Sequence, residues 1–218
     1  MAGLRERKKQ RTRRALIEAA LRLFAEKGYA DTTLAEIAAG AEVSTRTFFS
    51  YFNGKEDLVF HDAEGRVERA LELLAGRRPG ESVVALLLRL IDEGFEQARE
   101  SGELVTFEEA ELRMRLIMTE PALQGRALLL LYDSQLRLAR ALHEVCPDEL
   151  DELEAAAAVG ALFGAVKLAV MTHLCGDRSL QRIQVIARRA AGIALEGLRT
   201  LETRAVARIH AGPPGMAS

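Results

Sequence analysis

Residues 44–55 read "STRTFFSYFNGK" and hold the chain's most suggestive grouping of side chains. Ser44, Thr45, Arg46 and Thr47 carry three hydroxyls and a guanidinium fork, groups that bond to carbonyl, ring-nitrogen and phosphate acceptors. Directly behind them, three phenylalanines and a tyrosine fall within the five positions 48–52, and Lys55 adds a cation. A core helix spreads its aromatics around one face, and an exposed loop does not carry them. The pattern asks for a short, rigid helix whose aromatics are anchored and whose polar first turn faces outward. Its chemistry is recognition, not reaction.

No reactive constellation competes with it. The histidines 61, 143, 173 and 210 fall on different segments, and no Ser/His/Asp, Cys/His or metal-ligand spacing can be assembled. An enzyme is therefore not expected, and neither is a cofactor or a metal. "EEAE" at 108–111 suits a solvated helix face. Cys146 and Cys175 stand alone, which fits a reducing cytoplasm, and "MAGLRERKKQ" has no apolar signal region. "AAAAVGALFGAVKLAVMTHLCG", 155–176, is long enough to cross a bilayer, yet it contains Lys167 and His173 and is built largely of Ala and Gly. The expectation is a buried or dimer-forming helix and no membrane partner.

Charge is segregated. Residues 1–55 hold eleven Lys/Arg against six Asp/Glu, whereas the whole chain of 218 residues has a net charge of −2. The first quarter is thus suited to a polyanion.

Helical periodicity runs through most of the chain, and the fold class expected is all-α. Leu16, Ile17, Ala20, Leu21 and Phe24 form one stripe, stopped by Gly28. Thr33 with Glu36 is a capping box opening a helix to about Gly40, and Ser44 caps a second helix over 44–52. Val43 and Phe48 form a hydrophobic staple across that cap. A further helix is expected from Lys55 through residue 75, with "GRRPGES" as a linker, and then helices over 82–100, 106–118, 121–145, 148–176 and 179–205. The helices 33–40 and 44–52, packed on the preceding one, make a helix-turn-helix. Ile37, Ala38, Ala41, Val43, Phe48 and Phe52 supply its small core against Leu21 and Phe24. A second helix presented by its N-terminal residues is how this motif reads base edges in the major groove. The plainer alternative is a tight helical corner without a ligand.

The stretch "RERKKQRTRRALIEAALRLFAEKGYADTTLAEIAAGAEVSTRTFFSYFNGKEDLV" closely resembles the N-terminal domain of TetR-family transcriptional regulators. The resemblance implies a basic arm and helix-turn-helix DNA-binding domain over 1–55, a helical effector-binding and dimerisation domain over 56–205, and a disordered tail over 206–218. It implies a cytoplasmic dimeric repressor, released from a palindromic double-stranded DNA operator by a small molecule. An architectural or activating DNA-binding protein without an inducer is the alternative, and an all-α enzyme or scaffold is disfavoured by the basic N-terminal quarter.

Carried over to this sequence, the family pattern makes Thr33 a phosphate contact at a helix N-terminus, with Ser44 chiefly a cap. Thr45, Arg46 and Thr47 become base-facing, with Arg46 matched to guanine O6 and N7. Phe49 reaches a thymine methyl or sugar, while Tyr51 and Lys55 hold phosphates. Two departures stand out. Glu42 occupies a turn position where many members have Gly, and Phe49 stands where many have Tyr. In the C-terminal part, the small residues around Gly160, Gly164 and Gly192 suit close packing of the last two long helices into a homodimer. The candidate lining of an effector pocket is Phe107, Met114, Met118, Leu128, Tyr132, Gln135, Phe163, Lys167 and Met171, with Lys167 looking inward and paired to an acidic ligand or to Glu108 or Glu111.

Overall fold

The computed structural model describes residues 3–100, 107–173 and 180–211, except the side chains of Leu4, 97–100, 107, 108, 110, 180 and 197–211. The protein is all-α, with no strand among the described residues. Its helices are α1 (Leu4–Lys27), α2 (Leu34–Gly40), α3 (Thr45–Phe49), α4 (Lys55–Val59), α5 (Ala63–Ala75), α6 (Val83–Glu100), α7 (Phe107–Thr119), α8 (Pro121–Val145), α9 (Glu152–His173) and α10 (Leu180–Ala211). Two compact units emerge. The first is Met1–Ala63 with Glu108–Leu128, and the second is Glu64–Phe107 with Leu129–Ser218. The boundary near residue 55 therefore shifts to 63, and the residues of α7 from Glu108 onward join the first unit.

In the first unit, Leu16, Ile17, Ala20, Leu21 and Phe24 are buried together with Ile37, Ala38, Phe48 and Phe52. Ala41 and Val43, expected in the same core, are only half-buried. The basic arm is not extended: α1 is already helical from Leu4. At its other end Gly28 takes φ 89° and ψ 163°, a conformation open essentially to glycine alone. Both halves of the capping box form at Thr33 and Glu36, and Lys27 Nζ adds a 2.6 Å ion pair to the same glutamate. Helix α2 then crosses α1 closely. A Cβ on Gly40 would lie 3.2 Å from Ala19 Cβ and 3.3 Å from Arg22 Nη2.

The α2–α3 turn is a Schellman motif: the Val43 N–H donates to Ala38 O (2.9 Å) and the Glu42 N–H to Ala39 O (3.0 Å). The motif requires a left-handed residue, and here it is Glu42, with φ 55°. Ser44 follows as the cap of α3, accepting from the Thr47 N–H at 3.1 Å. Helix α3 is shorter than 44–52. Ser50 Oγ donates to Thr47 O (2.6 Å), and the N–H groups of Tyr51 and Phe52 both turn back to Phe48 O.

The single helix expected over 55–75 is broken at Phe60–Asp62. The His61 carbonyl accepts from Arg13 Nη2 at 2.5 Å, and Arg113 of α7 meets both the His61 ring and the Asp62 carboxylate. Partners from α1 and α7 thus hold the groups at the break.

The second unit is a larger helical core. Leu74, Leu86, Leu87, Leu142, Leu162 and Leu195 are fully buried. Helices α9 and α10 pack on each other, and both bring small residues into the core, Ala155 and Ala158 from α9 and Ala187 and Ala191 from α10. The "GRRPGES" segment is pinned, not a free linker. Arg77 reaches Glu149 Oε1 (2.5 Å) and the Glu81 carbonyl, while Arg89 grips both oxygens of Glu81 at 2.6 and 2.8 Å. Helix α9 starts at 152 rather than 148 because Asp151 and Glu154 form their own capping box. Helix α10 runs on to Ala211, past the expected end at 205; residues 212–218 and Cys175 lie outside the described residues.

Two outcomes follow from these local geometries. Replacing Glu42 by Gly relieves the left-handed strain and should stabilise the first unit by about 0.5–1 kcal/mol, measured by thermal unfolding. Glu36 is the second case: hydrogen bonds from Lys27 and then Thr33 lower its pKa from 4.5 to about 2. A depressed carboxylate stabilises the fold above its unfolded pKa and loses that contribution as pH falls through the folded value. The stability gap between wild type and Glu36→Gln should therefore be full at neutral pH and close between pH 4.5 and 2 in a pH series of denaturation curves.

Candidate nucleic-acid interface

The polar turn and the aromatics of α3 separate as their spacing demands. Phe48 (0% exposed) and Phe52 (4%) are buried, Phe48 packing 5.5 Å edge-on to Phe49 and 5.9 Å from Phe52. Arg13 lies 5.5 Å over the Phe52 ring, so one residue of the basic segment is spent on anchoring α3. Thr45 and Arg46 are exposed, and Arg46 has no hydrogen-bond or ion-pair partner among the described residues. A fully solvated guanidinium on the first turn of a helix whose other face is clamped is free to meet a planar acceptor pair.

The neighbouring candidates are less free. Thr47 is half-buried, with its hydroxyl 2.9 Å from Ser44 Oγ, so these two side chains satisfy each other and Ser44 acts as the cap. Phe49, three residues after Arg46, is 53% exposed and apolar, and Tyr51 is half-buried. Thr33 donates both its N–H (2.9 Å) and its hydroxyl (2.6 Å) to Glu36 Oε2. Lys55 differs most from its expected phosphate role: its ammonium donates to the carbonyls of Tyr29, Ala30 and Thr32. No spacing rule could reveal this, since the acceptors are 23 to 26 residues away.

The start of α1, in the same unit as α3, is mostly positive. Arg5, Arg7, Lys8, Lys9, Arg11 and Arg14 are exposed on the first turns of α1, with Arg14 paired to Glu18. Cations at a helix N-terminus oppose its macrodipole, so this segment gains most from an external anion. Glu42 is exposed on the same unit and works against it.

The candidate effector residues scatter. Met114 is half-buried and Met118 is 53% exposed, both in the first unit, and Leu128 is 51% exposed. In the second unit Gln135 and Met171 are half-buried, Phe163 packs on the core, and Tyr132 is 58% exposed. The Phe107 side chain lies outside the described residues. Lys167 does not look inward. It is exposed next to Leu168 (64% exposed), because α9 buries the opposite stripe of Ala155, Ala158, Val159 and Leu162 against the core. Glu111, once its possible partner, pairs with Arg115.

Comparison with known proteins agrees with this geometry. The family model for bacterial regulatory proteins of the tetR family matches residues 16–61, from the second half of α1 through α4. The HTH-type transcriptional regulator TcmR of Streptomyces glaucescens is 33% identical over 201 residues, covering 90% of this chain and 87% of that protein. Among solved structures, the fatty acid degradation regulator FadR from Bacillus halodurans aligns with a TM-score of 0.59 at 20% identity, over 84% of this chain and 97% of that one. The TetR-family repressor FadR of Thermus thermophilus, solved with lauroyl-CoA, aligns at 0.50 and 21%, over 85% and 94%. A helix-turn-helix with an exposed reading turn, joined to a second helical unit and matched along nearly its whole length, identifies the chain as a member of the tetR family of DNA-binding transcriptional regulators.

Proposed function

We propose that the protein is a dimeric repressor that binds a palindromic operator and is released by a small-molecule effector. The observation that carries the reading is the first turn of α3, where Thr45 and Arg46 stand exposed above buried Phe48. Arg46 reads a guanine, Thr45 and Thr47 border it, and Phe49 meets a thymine methyl or sugar. Tyr51 borders the reading turn as a phosphate contact, Thr33 having both its donors on Glu36, and the exposed cations of α1 add sequence-independent attraction.

Dimerisation is supported by α9 and α10. Both bring buried alanines to the core, and the glycines are left over: a Cβ on Gly160, Gly164 or Gly192 would meet nothing within 4 Å. Leu153 (78% exposed), Leu168, Val185 (66%) and Ile193 (71%) are exposed on the same two helices. Among the described residues α9 alone is long and apolar enough to cross a membrane. A second copy, covering the outward small residues, accounts for that character equally well. A two-fold dimer also presents two α3 helices to half-sites about 34 Å apart. Lys167 belongs to this face instead of a pocket. The effector is placed in the second unit, with Gln135, Phe163 and Met171 as its half-buried candidates. The lauroyl-CoA held by the Thermus thermophilus neighbour, an apolar acyl chain on a polyanionic coenzyme, supports a ligand with an extended apolar portion.

Two experiments test the parts separately. With a duplex enriched by the wild type from a random library, Arg46→Ala should cost about 1–3 kcal/mol and relax preference at one position per half-site. An equal loss on all sequences would remove Arg46 from base reading. A Cβ at Gly164 meets nothing within 4 Å inside the protomer, so the helicity of Gly164→Leu should survive, while the dimer should weaken by about 1–3 kcal/mol or more in sedimentation. A tight dimer would place the interface elsewhere.

A further inference from the structure

We propose that Lys55 is a positioning residue: its ammonium holds the α1–α2 turn, and so the N-terminus of α2, in the pose that operator recognition needs, and does not itself hold a DNA phosphate. The inference rests on the DNA-binding reading. An ammonium has three donors and no more. Here Nζ lies 2.7 Å from Tyr29 O, 3.3 Å from Ala30 O and 2.9 Å from Thr32 O, which occupies all three. It also sits 4.5 Å above the Tyr29 ring, which packs tilted on Phe24 with ring centroids 5.1 Å apart. Lys55 is the first residue of α4, where a cation opposes the helix dipole. Carbonyl acceptors gathered from another segment offset that cost, and a phosphate would have to displace them.

What the ammonium holds is the connection that sets α2. Gly28 turns the chain with its positive φ, and the buried Thr32 hydroxyl donates back to Gly28 O at 2.7 Å. The carbonyls of Tyr29, Ala30 and Thr32 are thereby tied to one cation, and the next residue, Thr33, is the cap of α2. Helix α2 carries α3 through a turn with little freedom, because it is closed by the Val43 and Glu42 N–H bonds. Loss of the ammonium frees the carbonyls of the Tyr29–Thr32 turn and lets α2 and α3 drift together. Sequence-specific contacts suffer from such drift, whereas diffuse attraction to phosphate does not.

The test compares wild type, Lys55→Met and Lys55→Arg on two duplexes of equal length, one enriched by the wild type from a random library and one unrelated, across a salt series. For Lys55→Met the proposal expects affinity for the enriched duplex to fall by about tenfold or more. It expects affinity for the unrelated duplex, and the slope of log affinity against log salt, to stay as in the wild type. Lys55→Arg keeps the charge, but its planar fork cannot place three donors on these carbonyls, so it should lose the same preference. Far-UV circular dichroism at the binding temperature checks that each variant is folded; if Met at 55 unfolds the protein, the Arg variant decides alone. A uniform loss on both duplexes with a slope reduced by about one per half-site, or full restoration by Arg, would make Lys55 a phosphate ligand and overturn the proposal. Unchanged binding by folded variants would overturn it too. A wild type that prefers no sequence would instead sink the DNA-reading premise, a result distinct from either.

Discussion

Burial of Phe48 and Phe52 is the constraint from which the reading face follows. A helix of five residues has almost no stability of its own, since nucleation is unfavourable and few internal bonds form. Tertiary packing must supply it, and each large aromatic side chain removed from water contributes on the order of 1.5–3 kcal/mol. With Phe48 and Phe52 held against the core of α1 and α2, the orientation of α3 about its axis is decided. Thr45 and Arg46 are left on the outside by elimination. Arg13, stacked over Phe52 and bonded to the His61 carbonyl, links the same anchor to the break between α4 and α5.

The second unit solves a different packing problem. An α9 made mostly of Ala, Gly and Leu has weak preference for any one face, and its alanines and glycines do different work. The alanines at 155 and 158 are buried in the core that also holds Ala187 and Ala191 of α10, whereas a Cβ on the glycines at 160 and 164 would meet nothing within 4 Å. Small residues facing outward leave a surface to which another helix can approach closely. Asp92 on α6 reaches Arg188 on α10 at 2.9 Å, so polar contacts as well as the buried alanines hold α10 to its own protomer.

Much of this architecture was legible in local patterns. The capping box at Thr33, the stop at Gly28 and the cap at Ser44 all rest on contacts within five residues. Those contacts form in the structure with the residues that the sequence marks. The helical stripe of α1 was readable for the same reason. Predictions failed where a partner came from far along the chain. The helix expected through 55–75 is broken at residues contacted by Arg13 and Arg113, and the supposed linker at 76–82 is gripped by Arg89 and Glu149.

The sequence by itself determined the helical class, the helix-turn-helix, its caps and the identity of the outward-facing polar turn, because propensity, capping and periodicity act over one or two turns. Only the tertiary structure decided what Lys55 and Lys167 do. Both are long, flexible cations whose sequence neighbours permit several directions. Lys55 is claimed by carbonyls more than twenty residues away, and Lys167 is turned outward because the far side of α9 has the larger apolar area to bury. A side chain's direction is settled by whichever face of its helix the rest of the core needs, and that core is assembled from the whole chain.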